Sequence, residues 1–405
     1  MHPDRALAVF ALVLLAATAQ QRTLVVDQAA GPFTAIQSAI AASRSGDRIE
    51  VHAGTYFEAL TITHGLEIYG VGNVVVGASP FMGQTSISIG VGQAVRLDSL
   101  HLTWVFSPSF FGISNCDGFV HLHAVQLDVV CTISNSSRVT ITDSTIVGPG
   151  RLSNVPGWPG LQLTNASVVL DHSSVLGGTG GQDQGVSPPG GVGLTMASAS
   201  DVLLASATVQ GGTGGQGSGF AGSGGGGGDG VSGDTSCVLR AVGLSALSGG
   251  LGGNGVTPST NGPPGVPVAS RSAMPLRLGP QVPVPGGTST VVAIAEPPAV
   301  VAPRTFAQGT VTNIQVDGVA NLWVLLGLDI WNDAVRIGGV ELPFLLPSSA
   351  MLVGFAAPGA ANSTSFPLGV PSSPVVARQF VHLQAVTLDA NGALQFSTGG
   401  YGRIQ

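Results

Sequence analysis

Three versions of one unit decide the fold: ISNCDGFVHLHAVQLD at residues 113–128, ISNSSRVTITDSTIVG at 133–148 and LTNASVVLDHSSVLGG at 163–178. Each version reads as a strand, a tight polar turn and a second strand with alternating apolar residues. Two later units, beginning at Met196 and Asp234, keep this alternation. Fixed strands with variable insertions are typical of a solenoid, and short strands with tight turns favour a parallel β-helix.

Asparagine recurs at one position of the unit, at Asn115, Asn135 and Asn165. Asparagine tolerates the left-handed conformation that a sharp bend between two strands requires. If the units stack, the three amides lie above one another and can form a hydrogen-bonded ladder. We therefore assign these three residues a structural role.

The insertions between the strands are rich in glycine. GGTGGQ occurs at 177–182 and again at 211–216, and GGLGGN follows at 249–254. We interpret these segments, and the five-glycine run at 224–228, as flexible loops. The run continues into Asp229 and fits a calcium-binding nonapeptide once, but that motif binds calcium only in tandem copies. We therefore predict no cofactor, and Asp229 is the candidate ligand if calcium does bind.

The N-terminus has the pattern of an export signal. Arg5 precedes an apolar run at 6–17, and Ala17-Thr18-Ala19 forms an A-x-A cleavage site. We therefore predict a signal peptide at 1–19 and a secreted or cell-surface protein. The apolar run is too short to cross a bilayer and no later run is longer, so we predict no membrane span.

Composition narrows the classes of function. Charged residues make up only 9% of the chain and hydrophobic residues 44%, a balance that argues against disorder. All 14 basic residues are arginine and they form no stripe, so nucleic acid is not a predicted partner. Cys116, Cys131 and Cys237 are an odd number for an exported protein, which leaves at least one free thiol or an intermolecular bond. A Cys116–Cys131 bridge is an alternative that we do not favour, because the repeat register separates the two residues along the coil.

The order of the patterns predicts an all-β chain with two domains. An amphipathic helix at 33–43 would cover the open end of the first repeat. We predict the parallel β-helix at 20–255, a Pro/Gly-rich linker at 256–270 and a C-terminal domain at 271–405. The last region has short strand candidates without the repeat, which suggests a small antiparallel β-sandwich.

Residues 33–72 resemble the opening of the pectin-lyase-like superfamily of right-handed parallel β-helix proteins, which includes pectin methylesterases. The shared features are the helix, Gly46-Asp47, Gly54-Thr55-Tyr56 before Glu58, and LEIYGVG at 66–72. The resemblance implies a right-handed parallel β-helix. FVHLQAVTLDANGALQFSTGGYGRI, at 380–404, resembles terminal β domains of secreted bacterial proteins, particularly those of planctomycetes.

The catalytic motifs of that superfamily are absent. The chain has neither the QDTL, DFIFG and LGRPW motifs of methylesterases nor the paired aspartates, GHG and RIK of polygalacturonases. It also lacks the calcium cluster and catalytic arginine of pectate lyases. The resemblance therefore carries over no catalytic residue, and we interpret Glu58 as a structural or solvated side chain.

The residues themselves raise one catalytic hypothesis. Asp143, Asp171 and His172 fall near equivalent positions of adjacent units, close to His121 and His123. Stacked carboxylates and imidazoles can share protons, and acid–base cleavage of a glycan needs such a group. The alternative is a solvated strand face, on which every second residue is polar in any case, and we favour it.

Two tryptophans bear on ligand binding. Trp323 lies within an apolar run and is expected in the core, whereas Trp331 beside Asn332 and Asp333 is the candidate for contact with a sugar ring. We predict a non-catalytic exported scaffold that binds polysaccharide or serves as a structural surface module. The alternatives are a divergent polysaccharide lyase or glycoside hydrolase, and an adhesin or self-assembling surface protein.

Overall fold

The computed structural model divides into two compact units, Arg22–Ile294 and a unit that contains Ala295–Gln405, here called the parallel unit and the C-terminal unit. Both are built from strands, so the all-β prediction is confirmed, and the parallel unit contains the large parallel sheet. No helix in the described ranges is long and apolar enough to cross a membrane. The structure describes residues 22–78, 84–104, 110–150, 154–218, 222–256, 259–269, 274–283, 291–294, 297–303, 305–320, 322–329, 351–357, 359–372, 380–389, 393–398 and 400–405.

The parallel unit contains one helix, α1 (Ile36–Ala42), and strands that pair only in parallel within its described part. Most strands are three to five residues long, as the repeat predicts. Their bounds are β1 (Thr23–Val26), β2 (Arg48–Tyr56), β3 (Thr61–Ile62), β4 (Leu66–Ala78), β5 (Thr85–Ile87), β6 (Ala94–Asp98), β7 (His101–Trp104), β8 (Phe110–Ser114), β9 (Phe119–His123), β10 (Gln126–Asp128), β11 (Val130–Thr142), β12 (Thr145–Val147), β13 (Leu161–Asp171), β14 (Ser174–Leu176), β15 (Leu194–Ala197), β16 (Asp201–Ala205), β17 (Thr208–Gln210), β18 (Val231–Gly233), β19 (Val238–Val242), β20 (Ala246–Ser248), β21 (Leu276–Leu278) and β22 (Val291–Ala293).

These strands form three parallel ladders. The first runs through β1, β2, β4, β6, β9, β11, β13, β16, β19, β21 and β22. The second runs from β3 through β5, β8, β11, β13 and β15 to β18, and the third from β4 through β7, β10, β12, β14 and β17 to β20. Because each sequence unit supplies one strand to each ladder, consecutive units lie about 4.8 Å apart.

Aliphatic side chains from the three ladders share one core. Successive units place residues of similar size in register, and each fully buried side chain of this kind contributes about 1.5–3 kcal/mol. Two such columns are Ile113, Ile133, Leu163 and Met196, and Leu122, Ile141, Leu170 and Leu204, all of them buried.

Helix α1 covers the start of this core with the buried side chains of Ile36 and Ile40. Ala35, the residue before the helix, makes no side-chain cap. The Glu58 carboxylate supplies the cap instead, because it accepts hydrogen bonds from the backbone N–H groups of Ile36 at 2.7 Å and Gln37 at 2.8 Å. Glu58 therefore has a structural role. Its carboxylate satisfies free N–H groups at the start of the helix and complements the helix dipole.

The glycine-rich insertions are ordered by hydrogen bonds, and the prediction of flexible loops is wrong. Gly211, Gly214 and Gly217 donate from every third residue to carbonyl groups of the next repeat. Their neighbours Gly212 and Gly215 donate to the carbonyl groups of Gly191 and Pro188, in the segment at 187–193. This pattern of three residues per turn leaves no space for a side chain at two of every three positions. We call residues 177–181, 187–193, 211–217, 222–230, 249–255 and 262–268 the glycine stack.

The glycine stack also includes residues 262–268 of the predicted linker. The Gly265 N–H donates to Gly250 O at 2.9 Å, and Val268 is buried and pairs with Val231. The parallel sheet then continues through β21 and β22, beyond the expected end at residue 255. Composition misplaced this boundary because proline and glycine suit the extended, three-residue-per-turn backbone of the stack as well as they suit a linker.

The C-terminal unit has two sheets that share one core. Strands β23, β25 and β28 form a three-stranded antiparallel sheet, and the others form a six-stranded sheet in which only β24 and β31 pair in parallel, within the described residues. Ile314 and Phe366 of the first sheet pack with Leu326 and Leu383 of the second. The strands are β23 (Ala299–Val301), β24 (Thr305–Phe306), β25 (Val311–Asp317), β26 (Trp323–Asp329), β27 (Met351–Ala356), β28 (Ser363–Gly369), β29 (Phe380–Leu388), β30 (Leu394–Phe396) and β31 (Gly400–Ile404).

Candidate functional site

The two candidate histidines of β9 converge on a threonine of β11. His121 Nε2 and His123 Nδ1 each lie 2.9 Å from Thr142 Oγ1. On the other side of the ring, Arg96 Nε donates to His121 Nδ1 at 3.3 Å. A guanidinium group only donates, so His121 Nδ1 accepts, and His121 Nε2 donates to the Thr142 hydroxyl, which also bonds to His123 Nδ1.

This directed chain gives His121 a structural role. Its side chain is 0% exposed, and both ring nitrogens are engaged. A general base must reach the proton it removes, and a fully buried imidazole cannot reach a polymer substrate. His121 therefore organises the interior of this cluster, and only His123, which is partly exposed, approaches the surface.

A row of buried charges continues the cluster along the first ladder. Arg48 Nε donates to Glu67 Oε2 at 2.8 Å, and Arg96 Nη1 lies 3.7 Å from Glu67 Oε1. The register places Arg48, Glu67, Arg96 and His121 on successive strands. Buried charges need such partners. The sequence carries a signal for this row, which we missed in the sequence analysis. A charged or polar residue lies between two apolar ones in LEI (66–68), VRL (95–97) and VHL (120–122).

Asp171 and His172 form the most accessible titratable pair among the predicted site residues. Asp171 is 5% exposed and ends β13, and its Oδ1 lies 2.7 Å from His172 Nδ1. Burial raises the pKa of Asp171, which the hydrogen bond from His172 partly offsets, and the same bond raises the pKa of His172. The His172 side chain is 53% exposed. The arrangement is a half-exposed imidazole oriented by a buried carboxylate, which suits proton transfer.

Asp143 lies beside His172 in a column of bends. Both residues are left-handed, with φ of 48° and 46°, and the Asp143 N–H donates to Asp171 O at 3.1 Å. Thr142 and Asp171 pair in register on adjacent strands, so Asp143 lies one strand from the two histidines of β9 and the Asp171–His172 pair lies two strands from them. The five candidate residues therefore lie on or directly after consecutive strands, with hydrogen bonds that link His121 to His123 through Thr142 and Asp171 to His172.

The asparagine column forms a chain of side-chain amides. Asn135 Nδ2 donates to Asn115 Oδ1 at 3.1 Å, and Asn165 Nδ2 donates to Asn135 Oδ1 at 3.0 Å. All three residues have φ near 50°. An asparagine at each bend thus satisfies both the left-handed backbone and the amide of its neighbour.

The remaining polar candidates serve the backbone or are buried. The Asp229 carboxylate accepts the Val266 N–H at 3.0 Å, which ties it to the next segment of the glycine stack. Within the described residues no group of three or more acidic, histidine or cysteine side chains could hold a metal. All three cysteines are free and buried, and burial raises the pKa of Cys131 to about 12, which makes this thiol unreactive.

The C-terminal unit exposes an aromatic pair that the sequence placed in the core. Trp323 is 38% exposed and Phe355 is 55% exposed, and their rings stack with centroids 5.1 Å apart at 19°. The core position expected for Trp323 is wrong. Successive residues of a strand point to opposite faces, and the Val324 side chain occupies the core, so Trp323 points away from it. Six apolar residues in LWVLLGL conceal this alternation. Trp331 lies outside the described residues.

Comparison with known proteins shows no family. No family model matches the chain, and no curated protein matches it. A superoxide reductase (neelaredoxin) from Ignicoccus hospitalis is similar over 27% of this chain and 81% of its own, at 15% identity and a TM-score of 0.19. The full-length tailspike protein 2 of Escherichia coli O157:H7 bacteriophage CAB120 is similar over 91% of this chain and 65% of its own, at 11% identity and a TM-score of 0.26. Likenesses this distant assign neither a family nor an activity.

Proposed function

We propose that this protein is an exported, non-catalytic module that binds polysaccharide, built as a right-handed parallel β-helix followed by a small β-sandwich domain. The three parallel ladders, each receiving one strand from every sequence unit, support the β-helix. The two sheets that share the core of the C-terminal unit support the sandwich. Export rests on the pattern of residues 1–19.

The stacked pair of Trp323 and Phe355 carries the binding proposal. Large apolar side chains that stay exposed side by side mark an interaction surface more often than isolated ones do. Leu394 extends the surface, because it is exposed and lies in the same cross-strand row as Trp323, with Leu388 between them. Sugar rings present C–H groups that pack against an aromatic face, and the low charge of the chain suits a neutral polymer.

The test is retention of the full chain on immobilised neutral and acidic polysaccharides. Trp323→Ala and Phe355→Ala should each weaken binding by about tenfold or more, as expected for an aromatic hot spot. Phe57→Ala is the matched control, because Phe57 is as exposed as Phe355 but lies in the parallel unit. Unchanged retention of Trp323→Ala would remove the aromatic surface from the proposal, and no retention of the wild-type chain on any polymer would overturn it.

The Asp171–His172 pair favours one second candidate, a polysaccharide lyase or glycoside hydrolase. In that case His172 transfers the proton and Asp171 orients its ring. Unsaturated products and new reducing ends should then appear with the wild type and fall strongly in Asp171→Asn and His172→Gln. His101→Gln is the control, since His101 also lies 2.7 Å from an aspartate, Asp128, but within a strand. Binding without turnover would reject this candidate.

A further inference from the structure

His52 lies between two carboxylates at the beginning of the parallel unit. Its Nδ1 is 3.0 Å from Asp27 Oδ2, and its Nε2 is 3.0 Å from Glu50 Oε1. Ionised carboxylates only accept hydrogen bonds, so both ring nitrogens must carry hydrogen. The geometry therefore requires the imidazolium form of His52.

The contact between His52 and Asp27 connects two neighbouring segments of the first ladder. Asp27 directly follows β1, and both His52 and Glu50 lie within β2, which pairs with β1 in parallel. We propose that His52 is a pH-dependent clasp, which holds the end of β1 against β2 when protonated and loosens as the pH rises. The inference is independent of polysaccharide binding.

Two tyrosine hydroxyls and an arginine that pairs with Glu67 also lie around the clasp. The Tyr69 hydroxyl donates to Glu50, and the Tyr56 hydroxyl donates to His52 O at 2.9 Å. Arg48 lies over the Tyr69 ring, 5.5 Å from its centroid, and pairs with Glu67. The nearest groups to the ring are thus two anions, and hydrogen bonds to Glu50 and Asp27 raise the pKa of His52.

The sign of the pH effect follows from the direction of this shift. A histidine whose folded pKa is raised stabilises the fold fully below its unfolded pKa, and the stabilisation is lost as the pH rises through the folded pKa. Neutral imidazole has one N–H and can serve only one of the two carboxylates. The other end of β1 is held by Arg22 and Asp47, which remain charged throughout this range. The end of β1 near Val26 is therefore released selectively.

Release would expose the edge of β2. An unpaired parallel edge presents backbone N–H and C=O groups to any strand that approaches it. The clasp thus makes the first edge of the large sheet more accessible in alkaline solution than in neutral or acidic solution.

Hydrogen exchange of the full chain at pH 6 and pH 8.5, corrected for intrinsic exchange rates, tests the clasp. Protection of the β1 amides should fall about twofold to fivefold with pH in the wild type, the range for a partly exposed ion pair. His52→Gln should show the lower protection at both pH values, and His101→Gln should behave as the wild type. The same pH dependence in His52→Gln as in the wild type would overturn the proposal.

Titration of the His52 ring by NMR in the wild type gives a second measurement that needs no altered fold. The pKa of His52 should lie above that of a free imidazole and should fall in both Asp27→Asn and Glu50→Gln. A His52 that titrates at or below the free value would show that the two carboxylates do not hold the imidazolium.

Discussion

The aliphatic ladders and the glycine stack hold the same repeats together by opposite means. In the ladders, side chains such as Leu122 and Leu170 fill the interior, and volume is what each position contributes. In the stack, the backbones of Gly225 and Gly212 touch their neighbours directly, and the lack of a side chain is what each position contributes. From the unit at 163–178 onward, the chain passes through both regions.

The ladders and the stack should therefore tolerate different kinds of substitution. A core column loses stability when a side chain becomes smaller, because a cavity remains. The stack loses stability when a side chain is added at a position such as Gly225 or Gly212, because carbonyl groups of a neighbouring segment occupy the space. A loss of side-chain volume should therefore destabilise the ladders, whereas a gain of side-chain volume should destabilise the stack.

Leu170→Ala should produce the largest loss, about 3–4 kcal/mol in the free energy of unfolding, because Leu170 is buried between Ile141 and Leu204. Urea unfolding followed by circular dichroism measures it. Val91→Ala, at an exposed position, should leave the midpoint unchanged. A loss below about 1 kcal/mol for Leu170→Ala would mean that the ladder does not depend on side-chain volume.

Gly225→Ala should cost about 2–3 kcal/mol, because a Cβ there would overlap the carbonyl oxygen of Pro188. Gly226 is the matched control in the same five-glycine run. A Cβ on Gly226 would meet only Pro263, at 3.7 Å, so Gly226→Ala should change stability little. Equal urea midpoints for the two variants would contradict an ordered stack and restore the flexible loop.

Asn135 allows the backbone and side-chain contributions of a bend to be separated. Asn135→Ala should cost about 1–2 kcal/mol, because alanine is strained at a φ of 47° and the amide bonds are lost. Asn135→Gly loses the same amide bonds without the strain and should cost less. Thermal unfolding of both variants measures the difference, and an equal loss would assign the whole effect to the amide ladder.

Glu58→Ala should have the smallest effect on overall stability, about 1 kcal/mol, because it removes the cap of a helix at the end of the ladder. Hydrogen exchange should show faster exchange at Ile36 and Gln37 with little change in the central strands. Glu58→Gln keeps one acceptor oxygen and should lie between the wild type and Glu58→Ala. Faster exchange throughout the parallel unit would show that the helix stabilises more than the first repeat.

The repeat made the strands and bends of the parallel unit predictable. Apolar alternation located the strands of the units at 113–128, 133–148 and 163–178, since a strand that buries one face must place every second residue inward. Adjacency in sequence also located Asp171 beside His172. Thr142, which joins His121 to His123, was missed because only the pairing of β9 with β11 brings it there.

Two regions could not be read from composition. Glycine-rich and proline-rich segments look the same whether they are flexible or stacked, because the stabilising hydrogen bonds come from other segments of the chain, as in the bond from Gly180 N–H to Thr213 O. The exposure of Trp323 was hidden for a related reason. Its run of apolar residues shows no alternation, so only the packing of β26 against the three-stranded sheet decides which face is buried.

Residue types and their spacing predict a β-rich chain, strands that recur in units and asparagine at the bends. Each of these features follows from local conformational preferences. Tertiary structure alone decided which polar side chains meet, as in the contacts of Thr142 and His52, and which glycine segments become rigid. These outcomes depend on the register between strands and segments far apart in the chain, which no local preference specifies.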